Sequence, residues 1–91
     1  MPRNAEVIRQ WNILLLLDRK RLGLSVDELA GESGVKKRTI WRDMAALQEA
    51  GFPLSSEKRD DNRTHWMLLS MPLKALQDLA RGLRESMPFL L

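Results

Sequence analysis

"SVDELAGESGVKKRTIWRDMAALQEAG", residues 25–51, holds two helix signals separated by one break. Ser25 to Glu28 has the form of a capping box. The serine hydroxyl can accept from the Glu28 amide while the Glu28 carboxylate reaches back to the Ser25 N–H. This predicts a short helix over Val26–Glu32, with Leu29 and Ala30 inward, closed at Ser33-Gly34. Gly34 suits the left-handed residue of a turn between two short helices. The next helix is predicted from about Lys37 to Ala50, where Gly51 stops it. Helical spacing puts Ile40, Met44 and Leu47 on a core face, and Arg38, Trp41, Arg42, Ala45 and Glu49 on the opposite one.

The start of that helix carries Lys36, Lys37, Arg38 and Arg42, where the backbone dipole already presents positive charge. Cations there are unfavourable by a few tenths of a kcal/mol to about 1 kcal/mol. An external anion at this end would reverse the sign. The charge balance points the same way. The net charge is +3, and five bases balance five acids up to Gly34. Four bases meet no acid from Val35 to Arg42, and six bases face seven acids from Asp43 onward. The surplus is confined to one short stretch, which favours a polyanionic partner over general stickiness.

Outward from this centre, Asn4 is placed to cap a first helix running to about Lys20, with Ile8, Trp11 and Leu15, and one face over Leu14 and Leu17, as its buried stripe. Gly23 ends it. Phe52–Lys58 and Thr64–Leu69 read as two strands joined at Asp60-Asp61-Asn62, with Trp66 and Leu68 on one face. Pro72 opens a fourth helix to about Ser86. Its apolar positions Leu73, Leu76, Ala80, Leu83 and Met87 have heptad spacing, which suits packing on the same domain or pairing across a dimer.

Hydrophobic residues make up 44% of the 91 and charged residues 30%, the balance of a globular chain with one modest core. There is no cysteine, which excludes disulfides and thiolate metal sites and fits a cytoplasmic home. The longest apolar run, Ile13–Leu17, is too short to span a bilayer, and the charges around it argue against a signal peptide. No nucleophile–base pair is visible, so an enzyme is not expected. Lone His65 reads as a surface residue and not a metal ligand; no cofactor is expected.

Helix, short helix, tight turn, basic helix and hairpin is the order of a winged helix-turn-helix. The fold expected is mainly α with a small β-hairpin, a three-helix core plus a two-stranded wing, followed by an additional C-terminal helix. The domain would cover residues 1–70, and 71–91 would be a linker or dimerisation segment. In such a fold the exposed side of the third helix matches the major groove, with base contacts from its first turns. Arg38 and Arg42 lie one turn apart, so one can read a guanine edge while the other holds a phosphate. Trp41 is placed to pack on the sugar-phosphate backbone, whereas Trp11 and Trp66 are assigned to the core. Asp43 borders the core and is expected in a structural ion pair or hydrogen bond. Arg59, Arg63 and His65 flank the hairpin turn, where an arginine can enter a minor groove.

The stretch "LSVDELAGESGVKKRTIWRDMAALQEAGFPL" resembles the N-terminal DNA-binding domain of bacterial WYL-domain transcriptional regulators, close to the DeoR-type winged helices. The pattern Thr-Ile-aromatic-Arg-Asp, then Ala-Leu, then Glu-Ala-Gly falls at Thr39–Asp43, Ala46-Leu47 and Glu49–Gly51. The resemblance implies a sequence-specific, nucleoid-associated transcription factor on double-stranded DNA. It also implies a homodimer and a separate C-terminal domain for the effector ligand. As no such domain follows, an excised fragment or a natural short form is expected, and the ending "MPFLL" favours excision. Its recognition-helix contacts fall on Lys37, Arg38, Thr39, Trp41 and Arg42. With Ser25, Lys36, Arg59 and Arg63, these form the expected DNA-binding set; Leu73, Leu76, Ala80, Leu83 and Met87 form the expected dimer seam. Besides the missing sensor domain, two departures stand out. Lys36 replaces a frequent serine cap, and the wing "EKRDDNRTHW" lacks a glycine-rich tip. The competing reading is a winged-helix protein-interaction module that sets the basic helix on an acidic partner.

Overall fold

A computed structural model describes residues 2–86. Its elements are α1 (Pro2–Arg19), β1 (Leu24–Ser25), α2 (Val26–Ser33), α3 (Lys37–Glu49), β2 (Leu54–Lys58), β3 (Thr64–Leu68) and α4 (Leu73–Ser86). This is a winged helix: α1, α2 and α3 enclose the core, and a small antiparallel sheet closes one side.

The capping box at Ser25 forms as the sequence predicts. Ser25 Oγ accepts from the Glu28 N–H at 3.0 Å, and Glu28 Oε1 accepts from the Ser25 N–H at 2.9 Å. Gly34 ends α2 in the left-handed region at φ 68°. The reversal directs Ile40, Met44 and Leu47 of α3 onto Leu29 and Val26 of α2, all buried. At the far end of α3 the Phe52 N–H returns to the Leu47 carbonyl and the Gly51 N–H to that of Gln48. These bonds satisfy carbonyls that the helix leaves free and swing Phe52 into the core.

The sheet has three strands in the order β1-β3-β2, one more than expected. Leu54 pairs with Leu68 and Lys58 with Thr64 across the hairpin, while Leu24 pairs with Trp66 on the other edge of β3. β1 thus ties the wing to the start of α2. At the tip the Asn62 N–H donates to the Arg59 carbonyl, and Asn62 takes a positive φ of 64°. Asparagine tolerates this conformation better than most residues and serves here in place of glycine.

Three expectations for α1 are corrected. The helix begins at Pro2, so Asn4 lies inside it and is not its cap. Its buried stripe is Gln10, Ile13, Leu14 and Leu17; Ile8 and Trp11 are only half-buried, and Leu15 is 43% exposed. The apolar run Ile13–Leu17 offers more than one inward face, and the polar contacts of Arg9 and Gln10 with Asp43 of α3 select the rotation. Trp11 therefore leaves the core assignment, whereas Trp66, 5% exposed, keeps it.

α4 packs against α1, and Leu79 joins the edge of the core. Of the expected dimer seam, Ala80 is half-buried. The side chains of Leu73, Leu76 and Leu83, and all of Met87, lie outside the described residues. Among the described residues no helix is long and apolar enough to cross a membrane.

Candidate nucleic-acid interface

Lys36 occupies the N-cap of α3 in extended conformation and makes no side-chain cap. The cations at the start of the helix face outward together. Lys36, Lys37, Arg38, Trp41 and Arg42 are exposed and Thr39 is half-buried, while Ile40, Asp43 and Met44 point inward. Among the described residues, Lys36, Arg38 and Arg42 form no salt bridge. The positive end of the helix therefore stands uncompensated by protein at three cations, an arrangement that attracts anions.

Asp43 is what keeps α3 in this orientation. It is 1% exposed and accepts from Arg9 Nη2 at 2.9 Å, from Arg9 Nε, and from Gln10 Nε2 at 3.2 Å. The hydrogen bond to Asp43 raises the Arg9 pKa against the opposing effect of burial. Asp43 is thus a structural partner, as its angle on the helix predicts.

Trp41 stands 46% exposed on the outer face. Its ring meets that of Trp66 edge-on, with centroids 5.9 Å apart and planes at 73°. One side of the indole is thereby anchored to the sheet while the remainder stays open. A second link between helix and wing is ionic. Asp27 of α2 pairs with Lys37 through Oδ1 and with Arg63 through Oδ2, each at 3.3 Å.

Two expected contact residues are held within the protein. Ser25 is 1% exposed and its hydroxyl is engaged in the α2 cap, so its role is structural. The Ser25 N–H, more than any other influence, holds the Glu28 carboxyl below its ordinary pKa. Arg59 donates through Nε to Glu57 at 2.9 Å and through Nη2 to the Leu22 carbonyl. It braces the wing against the segment leading into β1. Arg63 remains 56% exposed beside Asp27.

His65, expected on the surface, has an 11% exposed side chain, and its Nε2 lies 2.8 Å from Asp61 Oδ2. Asp61 also accepts from the Arg63 N–H at 2.9 Å. The His65 bond first, and the Arg63 amide second, lower the Asp61 pKa. Asp61 therefore helps to build the turn, tying its tip to β3.

The sequence reading missed the Trp41–Trp66 contact and the bridging role of Asp27. Neither has a local signal: Asp27 reads as one more acid in the first turn of a helix, and the two tryptophans lie far apart in the chain.

Residues 9–60, more than half of the chain, match a family model described as HTH domain, the helix-turn-helix. Neither a curated protein nor a solved structure matches.

Proposed function

Since the chain belongs to the HTH-domain family, we propose that it binds double-stranded DNA sequence-specifically, as the DNA-binding domain of a bacterial transcriptional regulator of the WYL, DeoR-like type. One observation carries this reading. Lys36, Arg38 and Arg42 stand exposed at the start of the helix whose other face is the core and, among the described residues, form no salt bridge. In the major groove, phosphates and guanine acceptors supply the negative charge that this end lacks.

The proposed contacts are Lys36, Lys37, Arg38, Thr39, Trp41 and Arg42 from α3, with Arg63 from the wing. Arg38 and Arg42 are one turn apart and take base edges or phosphates. The open side of Trp41 packs on the sugar-phosphate backbone. Residues 1–70 form the binding domain, and 71–91 are read as a linker or dimerisation segment. The homodimer rests on the resemblance and on the heptad spacing of α4.

Selection of bound sequences from random duplex DNA tests the reading. It is followed by fluorescence titration of the selected duplex with Arg38→Ala, Arg42→Ala and Lys36→Ala variants. Loss of a base contact costs about 1–3 kcal/mol and relaxes specificity at one position. Loss of a phosphate contact weakens all sequences and reduces the salt slope by about 1. Unchanged affinity in all three variants removes DNA recognition from α3. The exposed face of Trp41 beside arginines also suits a protein interface. Capture by an acidic protein surface that duplex DNA does not compete away would favour that reading.

A further inference from the structure

Asp27 is the acid that bridges helix and wing in the proposed interface, its two oxygens divided between two elements. Lys37 is the first residue of α3, and Arg63 lies just before β3. Both reach the same carboxylate at 3.3 Å. The three side chains line an open groove of about 400 Å³ between helix and wing, together with Val26, Trp41, Asp61, Asn62 and Thr64; Asp61 is engaged by His65 and the Arg63 N–H. All stay accessible: Lys37 is 64% exposed, Arg63 56% and Asp27 34%.

We propose that Lys37 and Arg63 form a subsite for one backbone phosphate of duplex DNA, and that Asp27 occupies this subsite in the free protein as an internal competitor. The inference rests on the DNA-binding reading above. Two carboxylates, Asp27 and Asp61, face the two converging cations in this groove, and loss of the Asp27 charge raises the local charge by one. An incoming phosphate has to displace Asp27, breaking both ion pairs, or lie beside it against like-charge repulsion. Each course weakens phosphate binding at this point whatever the base sequence. Asp27 thus holds down non-specific affinity and leaves Arg38 and Arg42, which have no salt bridge among the described residues, to dominate. The fold does not need the carboxylate, because Ser25 and Glu28 already cap α2.

The opposite role is equally definite in its consequences. If Asp27 serves to pre-arrange Lys37 and Arg63, its removal loosens the wing and weakens binding. Fluorescence anisotropy on a labelled random-sequence duplex at several salt concentrations separates the two. The proteins are wild type, Asp27→Asn, Lys37→Ala/Arg63→Ala, the triple variant of these three positions and Arg38→Ala/Arg42→Ala, with helical content checked by circular dichroism. Asp27→Asn is expected to bind about three- to ten-fold tighter, the range set by two exposed ion pairs. Its log affinity should fall more steeply with log salt, by about 1 in slope. The gain should vanish when Lys37 and Arg63 are both alanine. Equal or weaker binding by Asp27→Asn overturns the proposal, as does a gain that persists without the two cations. Duplex binding that Arg38→Ala/Arg42→Ala abolishes and Asp27→Asn leaves unaltered overturns the subsite alone. Absence of any duplex binding by wild type and Asp27→Asn overturns the DNA-binding reading and this proposal with it.

Discussion

Arg9 and Asp43 join the first helix to the third through a two-pronged ion pair, with Gln10 as an added donor to the same carboxylate. The carboxylate is 1% exposed and the arginine side chain 19%. A buried pair is weak grounds for net stability, since desolvation offsets attraction, but breaking it leaves an uncompensated charge. Asp43→Asn is expected to cost about 3 kcal/mol, the lower end for such pairs, because Arg9 retains some access to water. Chemical denaturation measures this. An Arg9→Met/Asp43→Leu double variant should lie closer to wild type than Asp43→Asn does.

Trp41 and Trp66 offer a second stability test, in which burial separates two residues of the same type. Trp66 is 5% exposed and faces the core, so Trp66→Ala should cost about 3–5 kcal/mol. Trp41 is 46% exposed and contributes mainly its edge contact, so Trp41→Ala should cost only about 1 kcal/mol. Trp41→Phe should recover part of that. A Trp41→Ala cost as large as that of Trp66→Ala would show the exposed indole to be a structural member of the core.

The acid response of the capping box is signed. Glu28 has its folded pKa lowered below the ordinary 4.5, chiefly by the Ser25 N–H. On acidification the unfolded chain therefore takes up this proton first. The contribution is fully present above about pH 4.5 and is lost as pH falls through the lower folded value. Glu28→Gln keeps a neutral acceptor for the Ser25 N–H but removes the titration. The stability difference between wild type and Glu28→Gln should be largest near neutrality and close as the solution is acidified. A constant difference from neutral pH down to about pH 3 would contradict the linkage. Ser25→Ala, which removes the other half of the box, should cost about 1 kcal/mol across this range.

The parts of the fold legible in the sequence are those with local causes. Ser25, Glu28, Gly34 and Gly51 act within a few residues of themselves, so α2, the turn and α3 follow from the order of residues. The inward Ile40–Met44–Leu47 face and the buried Asp43 follow from one helical period. What escapes is set by distant partners. β1 is only two residues long and exists because Leu24 pairs with Trp66. The rotation of α1 among its consecutive apolar residues is chosen by Asp43, in another helix. The same holds for the candidate interface. Exposure of Lys36, Arg38 and Arg42 is a property of α3 alone, whereas Asp27, Arg59 and His65 take their roles from the way the wing folds back.

Gly23 and Gly34 make the last test, because both have positive φ but differ in what surrounds them. At Gly34, φ is 68° and nothing lies within 4 Å of where a Cβ would stand. Only the backbone preference opposes a side chain there, so Gly34→Ala should cost about 1 kcal/mol, and Gly34→Asn less, since asparagine tolerates this region. At Gly23, φ is 92° and a Cβ would lie 2.6 Å from the Trp66 carbonyl oxygen and 2.7 Å from Met67 Cγ. The methionine tip can move, but the carbonyl belongs to the central strand of the sheet and cannot do so without disturbing the Leu24–Trp66 pairing. Gly23→Ala should therefore cost well over the ~1–3 kcal/mol of backbone strain alone, and Gly23→Asn should give no relief. Thermal or denaturant unfolding of the four variants measures the contrast. Equal losses at the two positions would mean that β1 does not hold the wing against the body of the domain.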